Sequence, residues 1–265
     1  MTSCINPMGM KFTMLQDVEE RKKQYIKAIK FYLENTKYRI VFCDNSGMDL
    51  SDLKTVEGKG RLEVLSFEGN DFDKNLGKGY GEFGIIQYAI ENSQYIREAS
   101  CVIKLTGRLI VGNICEVVRL NQWLLLNPRQ FVFATPILKQ KAFDSRCFSA
   151  NKDFFLHCFV NQPNTINDTN NYYFEHYLYD AIRSLPSDYI VSDFVLPLTI
   201  NGVSGSTGCV YNSVDLSRED KLSRIRNYCE FRKKITKSRK GVSYFHLCFV
   251  STIVKIIKAV FKYVS

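Results

Sequence analysis

The sequence predicts an α/β protein: a mostly parallel, doubly wound sheet of the Rossmann type flanked by helices, followed by a C-terminal amphipathic helical tail. Three observations predict it. Short apolar runs bounded by turn residues alternate with stretches of helical period along the first two hundred residues. Alternation of that kind marks parallel strands joined by crossover helices. The composition shifts once, near Leu216, where a neutral body gives way to a basic segment.

The elements follow in order. MTSCINP forms a short strand ending at Asn6-Pro7, and Gln16–Glu34 has helical period, with Val18, Tyr25, Ile26, Ile29 and Leu33 on one face. YRIVFCDNSG is an apolar strand that turns at Asp44-Asn45-Ser46-Gly47, and RLEVLSF is a third strand. A second helix runs from Gly81 to Arg97, and SCVIKL is a fourth strand, ending in Thr106-Gly107-Arg108. QFVFAT is a further strand, Asp153–Asn161 a short helix, Asn164–Asn171 a polar loop and Tyr172–Ser184 a helix. Asp193–Ile200 is expected to be extended, and Asn201–Gly208 is a loop rich in Gly and Ser. The division expected is a folded α/β domain, 1–215, and a helical segment, 216–265.

The charge separates the two parts. The chain carries 36 Lys and Arg against 27 Asp and Glu, a net +9. From Leu216 onward there are 13 basic and 3 acidic residues, which leaves 23 against 24 in the body. A nucleic-acid-binding domain would spread its cations over a folded face, so no nucleic-acid partner is expected. Within the tail, Val242–Val264 is largely apolar, but Lys255, Lys258 and Lys262 share one helical face. Near mid-span each lysine costs about 2.5–3.5 kcal/mol on insertion scales. An amphipathic helix lying on an anionic membrane surface, helped by the upstream FRKKITKSRK cluster, accommodates both features. The nine cysteines have irregular spacing and no CxxC pair, which indicates free thiols in a reducing compartment. No secretory signal pattern is visible. The expected location is the cytoplasm, peripheral on the inner face of the cytoplasmic membrane.

In open α/β sheets ligands bind beyond the carboxyl ends of the strands. The polar residues at those ends are Asn6, Asp44 with Asn45, and Lys104 to Arg108. A carboxylate and an amide suit ribose and base edges, while Lys104 and Arg108 suit a diphosphate. Each also has a plain structural reading, as a turn or a solvated cation. GKGYGEFG (77–84) is neither a P-loop nor a dinucleotide fingerprint, and it serves equally well as a tight start to a helix, where the helix dipole favours Glu82. His157, His176 and His246 share no metal-ligand spacing. SGSTG (204–208) is a flexible loop whose backbone amides can approach a ligand, or an ordinary surface loop. Asp144 in FDSR and Glu175 in YYFEHYL are the carboxylates that stand out; Glu175, among aromatics on a helix, suits a general base.

VFCDNSG (41–47), LSFEGN (65–70), KGYGE (78–82), VIKLTGR (102–108), DSR (144–146), YYFEHYL (172–178) and VSGSTG (203–208) together resemble bacterial glycosyltransferases of surface-polysaccharide clusters, of the lipopolysaccharide O-antigen and capsule type. The resemblance spans about residues 1–215 and implies a GT-A-like fold. It implies a nucleotide-sugar donor, a uridine diphosphate sugar, and a lipid-linked glycan as acceptor. It places Asn6, Arg21, Asp44 and Asn45 by the nucleotide, and Glu82, His176, Ser204, Gly205 and Ser206 around the donor and acceptor. Glu175 and Asp144 are the catalytic candidates, with Glu175 as base if the transfer inverts; inverting and retaining transfer both stay open. Lys104 and Arg108 fall where many GT-A enzymes carry a metal-binding DxD. This sequence has no DxD there, so the two cations are expected to neutralise the leaving diphosphate, a role otherwise taken by Mg²⁺ or Mn²⁺. Asp144 is the one metal ligand on offer. Leu109 departs from the aromatic expected after TGR. Two other classes stay open: a sugar nucleotidyltransferase, and a non-enzymatic membrane adaptor.

Overall fold

A computed structural model describes residues 1–11, 13–54, 60–125, 128–137, 139–161 and 165–236. The chain order begins β1 (Thr2–Ser3), α1 (Val18–Asn35), β2 (Ile40–Asp44), α2 (Ser51–Lys54), β3 (Leu62–Ser66), α3 (Lys78–Asn92), α4 (Gln94–Glu98), β4 (Cys101–Leu105) and β5 (Ile110–Val111). It continues with α5 (Ile114–Leu124), β6 (Phe131–Ile137), β7 (Ala142–Asn151), α6 (Lys152–Cys158), α7 (Phe174–Arg183), β8 (Ile190–Ser192), β9 (Ile200–Val203), β10 (Val210–Asn212) and α8 (Arg218–Thr236). Single 3-10 turns lie at Lys74–Leu76 and Asp168–Asn170. The chain forms two compact units. The larger holds Met1–Ile110, Gln130–Asp193 and Ile200–Asn212; the smaller holds Val111–Arg129, Phe194–Thr199 and the chain from Ser213 onward.

The protein is mixed α/β with several sheets, not one doubly wound sheet. β1, β2 and β3 are parallel. β4 instead runs antiparallel to β7, β7 antiparallel to β6, and β6 parallel to β8. A parallel bridge between Thr2 and Thr106 joins the edge of the first sheet to the end of β4. Alternation along the sequence points to one mostly parallel sheet; the reversal comes from β7, ten residues long and unmarked in sequence. AFDSRCFSAN has no clean two-residue alternation because most of the strand is buried on both faces, between β4 and β6.

Local chemistry sets the helices. Asp17 caps α1 by accepting from the Glu20 amide at 2.7 Å, and Glu19 and Glu20 favour the positive end of its dipole. Tyr25, Ala28, Ile29, Tyr32 and Leu33 form its buried face. The helix expected over 81–97 starts earlier, at Lys78, and breaks at Ser93. The Ser93 hydroxyl accepts from the Ile96 amide at 3.0 Å and donates to Glu63, whose carboxylate also receives the Gln94 and Tyr95 amides. Together they cap a separate helix, α4. At the start of α3, Gly77 has φ +84°, and a Cβ there would lie 2.3 Å from the Asp168 carboxylate, so only glycine fits.

A core rich in phenylalanine lies where α3, α6 and α7 meet β6 and β7. Phe83, Phe148, Phe154, Phe155, Phe159 and Phe174 are all buried, with the Phe148 and Phe155 rings stacked at 5.6 Å. Each such burial contributes about 1.5–3 kcal/mol.

In the smaller unit, Leu124, Val195 and Cys229 form a core with Leu120, Leu222 and Ile225. Asn113 tethers the 194–199 segment, donating to Pro197 O at 2.9 Å and accepting from the Thr199 amide at 3.0 Å. Lys221 of α8 pairs with Glu116 and Asp215. The chain expected extended over 193–200 forms no strand before Ile200. No helix among the described residues is long and apolar enough to cross a membrane. The apolar stretch 242–264, with its three lysines, lies outside the described residues.

Candidate functional site

A cavity of about 550 Å³ opens in the larger unit, beyond the carboxyl ends of β1, β2, β3 and β4. Antiparallel pairing with β4 brings Asp144, Ser145 and Arg146 of β7 to the same edge, where the Thr106 amide donates to Arg146 O at 2.9 Å. Helix α3 adds Glu82, the first turn of α7 adds Glu175, and the β9–β10 hairpin adds Ser204 to Thr207 and Tyr211.

Two guanidinium groups give the cavity its charge. Arg21, 5% exposed, donates to the carbonyls of Cys4, Ile5 and Leu15, so it ties the chain after β1 to α1. Arg108, 8% exposed, donates from Nη1 to Gln24 at 3.1 Å and to Val203 O at 3.4 Å, while its Nε is buried with no partner. Among the described residues neither arginine forms an ion pair. Burial, and after it the Arg21 charge, holds the Arg108 guanidinium below the ordinary arginine pKa, yet an arginine does not lose its proton at neutral pH. A buried cation without a carboxylate favours an incoming anion. The loop beside it leaves room: a Cβ on Gly205 would lie 2.1 Å from Arg108 Nη2. Lys78, exposed at the start of α3, also lines the cavity and donates to the Ser206 hydroxyl.

Facing these cations are two carboxylates of different character. Asp144 accepts a two-pronged bond from Arg146, Nε to Oδ1 at 2.9 Å and Nη2 to Oδ2 at 2.6 Å, and Arg146 lies over the Tyr211 ring at 4.9 Å. The Asp144 hydrogen bond, more than burial opposes it, raises the Arg146 pKa. Glu175 accepts from the Ser145 hydroxyl at 2.6 Å through Oε1. Its other oxygen has no partner among the described residues.

The residues singled out in the sequence divide accordingly. Arg21, Asn45, Glu82, Arg108, Asp144, Glu175, Ser204, Gly205 and Ser206 line the cavity. Four others do not. Asp44 is fully buried and accepts from the Ser3 hydroxyl, the Ile5 amide, and both the amide and hydroxyl of Ser46. It organises the turn, and no lone pair remains for a nucleotide. Lys104 lies beneath the cavity, with its ammonium on Glu82, the Ser145 carbonyl and the Thr106 hydroxyl. Its charge is matched by Glu82, so it is a buried ion pair and not a diphosphate ligand. His176 lies alongside the Tyr172 and Tyr173 rings and accepts the Tyr173 amide at the start of α7. Asn6 accepts from the Met8 amide at 3.1 Å in the turn after β1.

Sequence reasoning passed over Asn70, Lys78, Ser145, Arg146 and Tyr211, all in the cavity wall. Asn70 ends LSFEGN and was signalled only by lying after a strand. Tyr211 carries no local signal. Both Asp144 oxygens are engaged by Arg146, and among the described residues no three His, Cys, Asp or Glu side chains come together around a possible ion. Cys4 also lines the cavity, but burial pushes its thiol up to about 11, which leaves it a poor nucleophile at neutral pH.

No family model, no curated protein and no solved structure matches the chain.

Proposed function

We propose that the protein is a glycosyltransferase that moves a sugar from a nucleotide-sugar donor, a uridine diphosphate sugar, to a lipid-linked glycan of a bacterial surface polysaccharide. The observation that carries the reading is one cavity in which Arg108, buried and, among the described residues, without a carboxylate, shares the wall with Glu175, whose second oxygen has no partner among those residues. Leaving-group charge and acceptor deprotonation are the two demands of glycosyl transfer, and these residues answer one each. Arg108 takes up the negative charge that grows on the diphosphate as its bond to the anomeric carbon breaks. Glu175, held by Ser145, receives the proton of the acceptor hydroxyl as that oxygen bonds to the anomeric carbon from the opposite side. Asp144, neutralised by Arg146, orients the sugars instead of accepting the proton. The basic segment from Leu216 on belongs to the same reading, as the part that keeps the enzyme at an anionic membrane on the cytoplasmic side.

The test is a panel of nucleotide sugars incubated with a lipid-linked acceptor, with and without EDTA, using the wild type and Glu175→Gln. Transfer with at least one donor is expected, insensitive to EDTA. Glu175→Gln is expected to lower kcat by about 10²–10⁴-fold with little change in donor KM. Near-normal transfer by Glu175→Gln would overturn the role of Glu175, and conversion of the nucleotide sugar and added pyrophosphate to a nucleoside triphosphate and a sugar 1-phosphate, without glycan extension, would indicate nucleotidyl transfer instead.

A further inference from the structure

Two residues of the cavity wall carry buried carboxamide oxygens with nothing among the described residues to accept from. Asn45 and Asn70 are 2% and 3% exposed, both residues line the cavity, and the Oδ1 of each is buried without a partner. Buried polar groups are nearly always paired in folded proteins, so two orphan acceptors in one wall call for donors from outside the chain. The orientation of Asn70 is settled by its own bond: Nδ2 donates to Asn6 O at 3.2 Å, and turning the amide over would set carbonyl against carbonyl. The free atom is therefore the oxygen.

Neither loop can swing to find a partner. The turn after β2 and the turn after β3 are laced together by the Phe67 amide to Asp44 O at 3.1 Å, the Gly47 amide to Phe67 O at 3.0 Å and the Gly69 amide to Asn45 O at 3.0 Å. Asn45 is fixed from the other side as well, its amide donating to Ser3 O at 3.2 Å. Both acceptors are thus held in place before any ligand arrives, on loops that belong to neighbouring strands. Pro7, Met10 and Ile85 supply apolar wall in the same cavity.

The third orphan atom of the cavity is a donor, Nε of Arg108. An inorganic anion satisfies Arg108 and leaves both amides unpaired. A ligand that satisfies all three carries negative charge at one end and at least two N–H or O–H donors at the other. We infer that Asn45 and Asn70 are specificity determinants that accept hydrogen bonds from the nucleoside of a nucleoside diphosphate whose phosphates lie at Arg108. The inference rests on the reading of the cavity as a nucleotide-sugar site, and it adds Asn70, and the demand for donor groups, to that reading. Base N–H and ribose hydroxyl are the two donor sources, and a 2′-deoxyribose probe tests the 2′-hydroxyl among them.

The test is calorimetric binding to the full chain, with no turnover involved. The probes are UDP, CDP, ADP, GDP, 2′-deoxy-UDP and inorganic pyrophosphate, on the wild type, Asn45→Ala, Asn70→Ala and Arg108→Gln. The wild type is expected to bind at least one nucleoside diphosphate ten or more times more tightly than pyrophosphate, a comparison that needs no variant to fold. Each Asn→Ala change is expected to weaken that nucleotide about tenfold and to leave pyrophosphate unchanged. Arg108→Gln is expected to weaken both alike. Weaker binding of 2′-deoxy-UDP than of UDP assigns the donor to the ribose 2′-hydroxyl; equal binding assigns it to the base or the 3′-hydroxyl. The inference is overturned if pyrophosphate binds as tightly as every nucleotide, or if Asn45→Ala and Asn70→Ala affect both probes equally or neither. Asn-dependent nucleotide binding without sugar transfer would sink the glycosyltransferase reading alone, and transfer with binding indifferent to both asparagines would sink this inference alone.

Discussion

Asp44 and Asn45 are adjacent in sequence and differ completely in use. Asp44 turns both carboxylate oxygens inward, to Ser3, Ile5 and Ser46, while Asn45 keeps its side-chain oxygen unpaired in the cavity wall. An aspartate at a strand end reads equally as a ribose ligand or a turn organiser, because the sequence does not say which donors lie opposite. Here two come from Ser46 and two from a segment about forty residues away. Asp44→Asn would point an amide group at donors, leaving buried N–H or O–H groups unsatisfied. It is expected to lower stability by about 3 kcal/mol, measured by urea denaturation, with nucleotide affinity of the folded fraction unchanged. A variant that keeps its stability but loses nucleotide binding would return Asp44 to the ligand set. Lys104 teaches the same lesson: its position at a strand end was visible, but its pairing with Glu82 was not.

At the scale of elements, the helical period ran legibly through 81–97, and the break inside it did not. Ser93 alone is a weak signal, since serine is tolerated within helices. The break depends on Glu63, thirty residues earlier on β3, whose carboxylate receives the Ser93 hydroxyl at 2.5 Å, the Gln94 amide at 2.9 Å and the Tyr95 amide at 3.2 Å. Glu63→Ala removes the cap from α4. The expected cost is about 1–2 kcal/mol, with faster hydrogen exchange at the Gln94 and Tyr95 amides and unaltered exchange in α7. Equal exchange at those amides in both proteins would show that α4 does not depend on the cap. β7 is the other element hidden from the sequence. It carries Asp144, Ser145 and Arg146, so missing the strand also meant missing how those residues reach the cavity.

For the molecule as a whole, buried thiols tie stability to alkaline pH. Among the described residues eight cysteines are free, and burial pushes Cys43 and Cys158 up to about 12, raises Cys147 further, and brings Cys4 to about 11. In the unfolded chain each thiol loses its proton near pH 9. The folded state therefore holds more protons above that pH, and its stability is full below about pH 9 and falls as pH climbs toward 11–12. The slope is at most about 1.4 kcal/mol per pH unit for each thiol. Urea midpoints at pH 8, 9.5 and 10.5 should fall in that order; a flat series would mean that the thiols are not buried as described. What the sequence determined by itself was local: the apolar runs of β2 and β4, the amphipathic periods of α1 and α7, and the set of polar strand ends from which the cavity is built. Tertiary structure decided which of those polar groups stay available. Pairing with partners distant in sequence neutralised Lys104 and saturated Asp44, and left Arg108, Asn45 and Asn70 buried with atoms unpaired, because a hydrogen-bond partner is a matter of position in space and not of order along the chain.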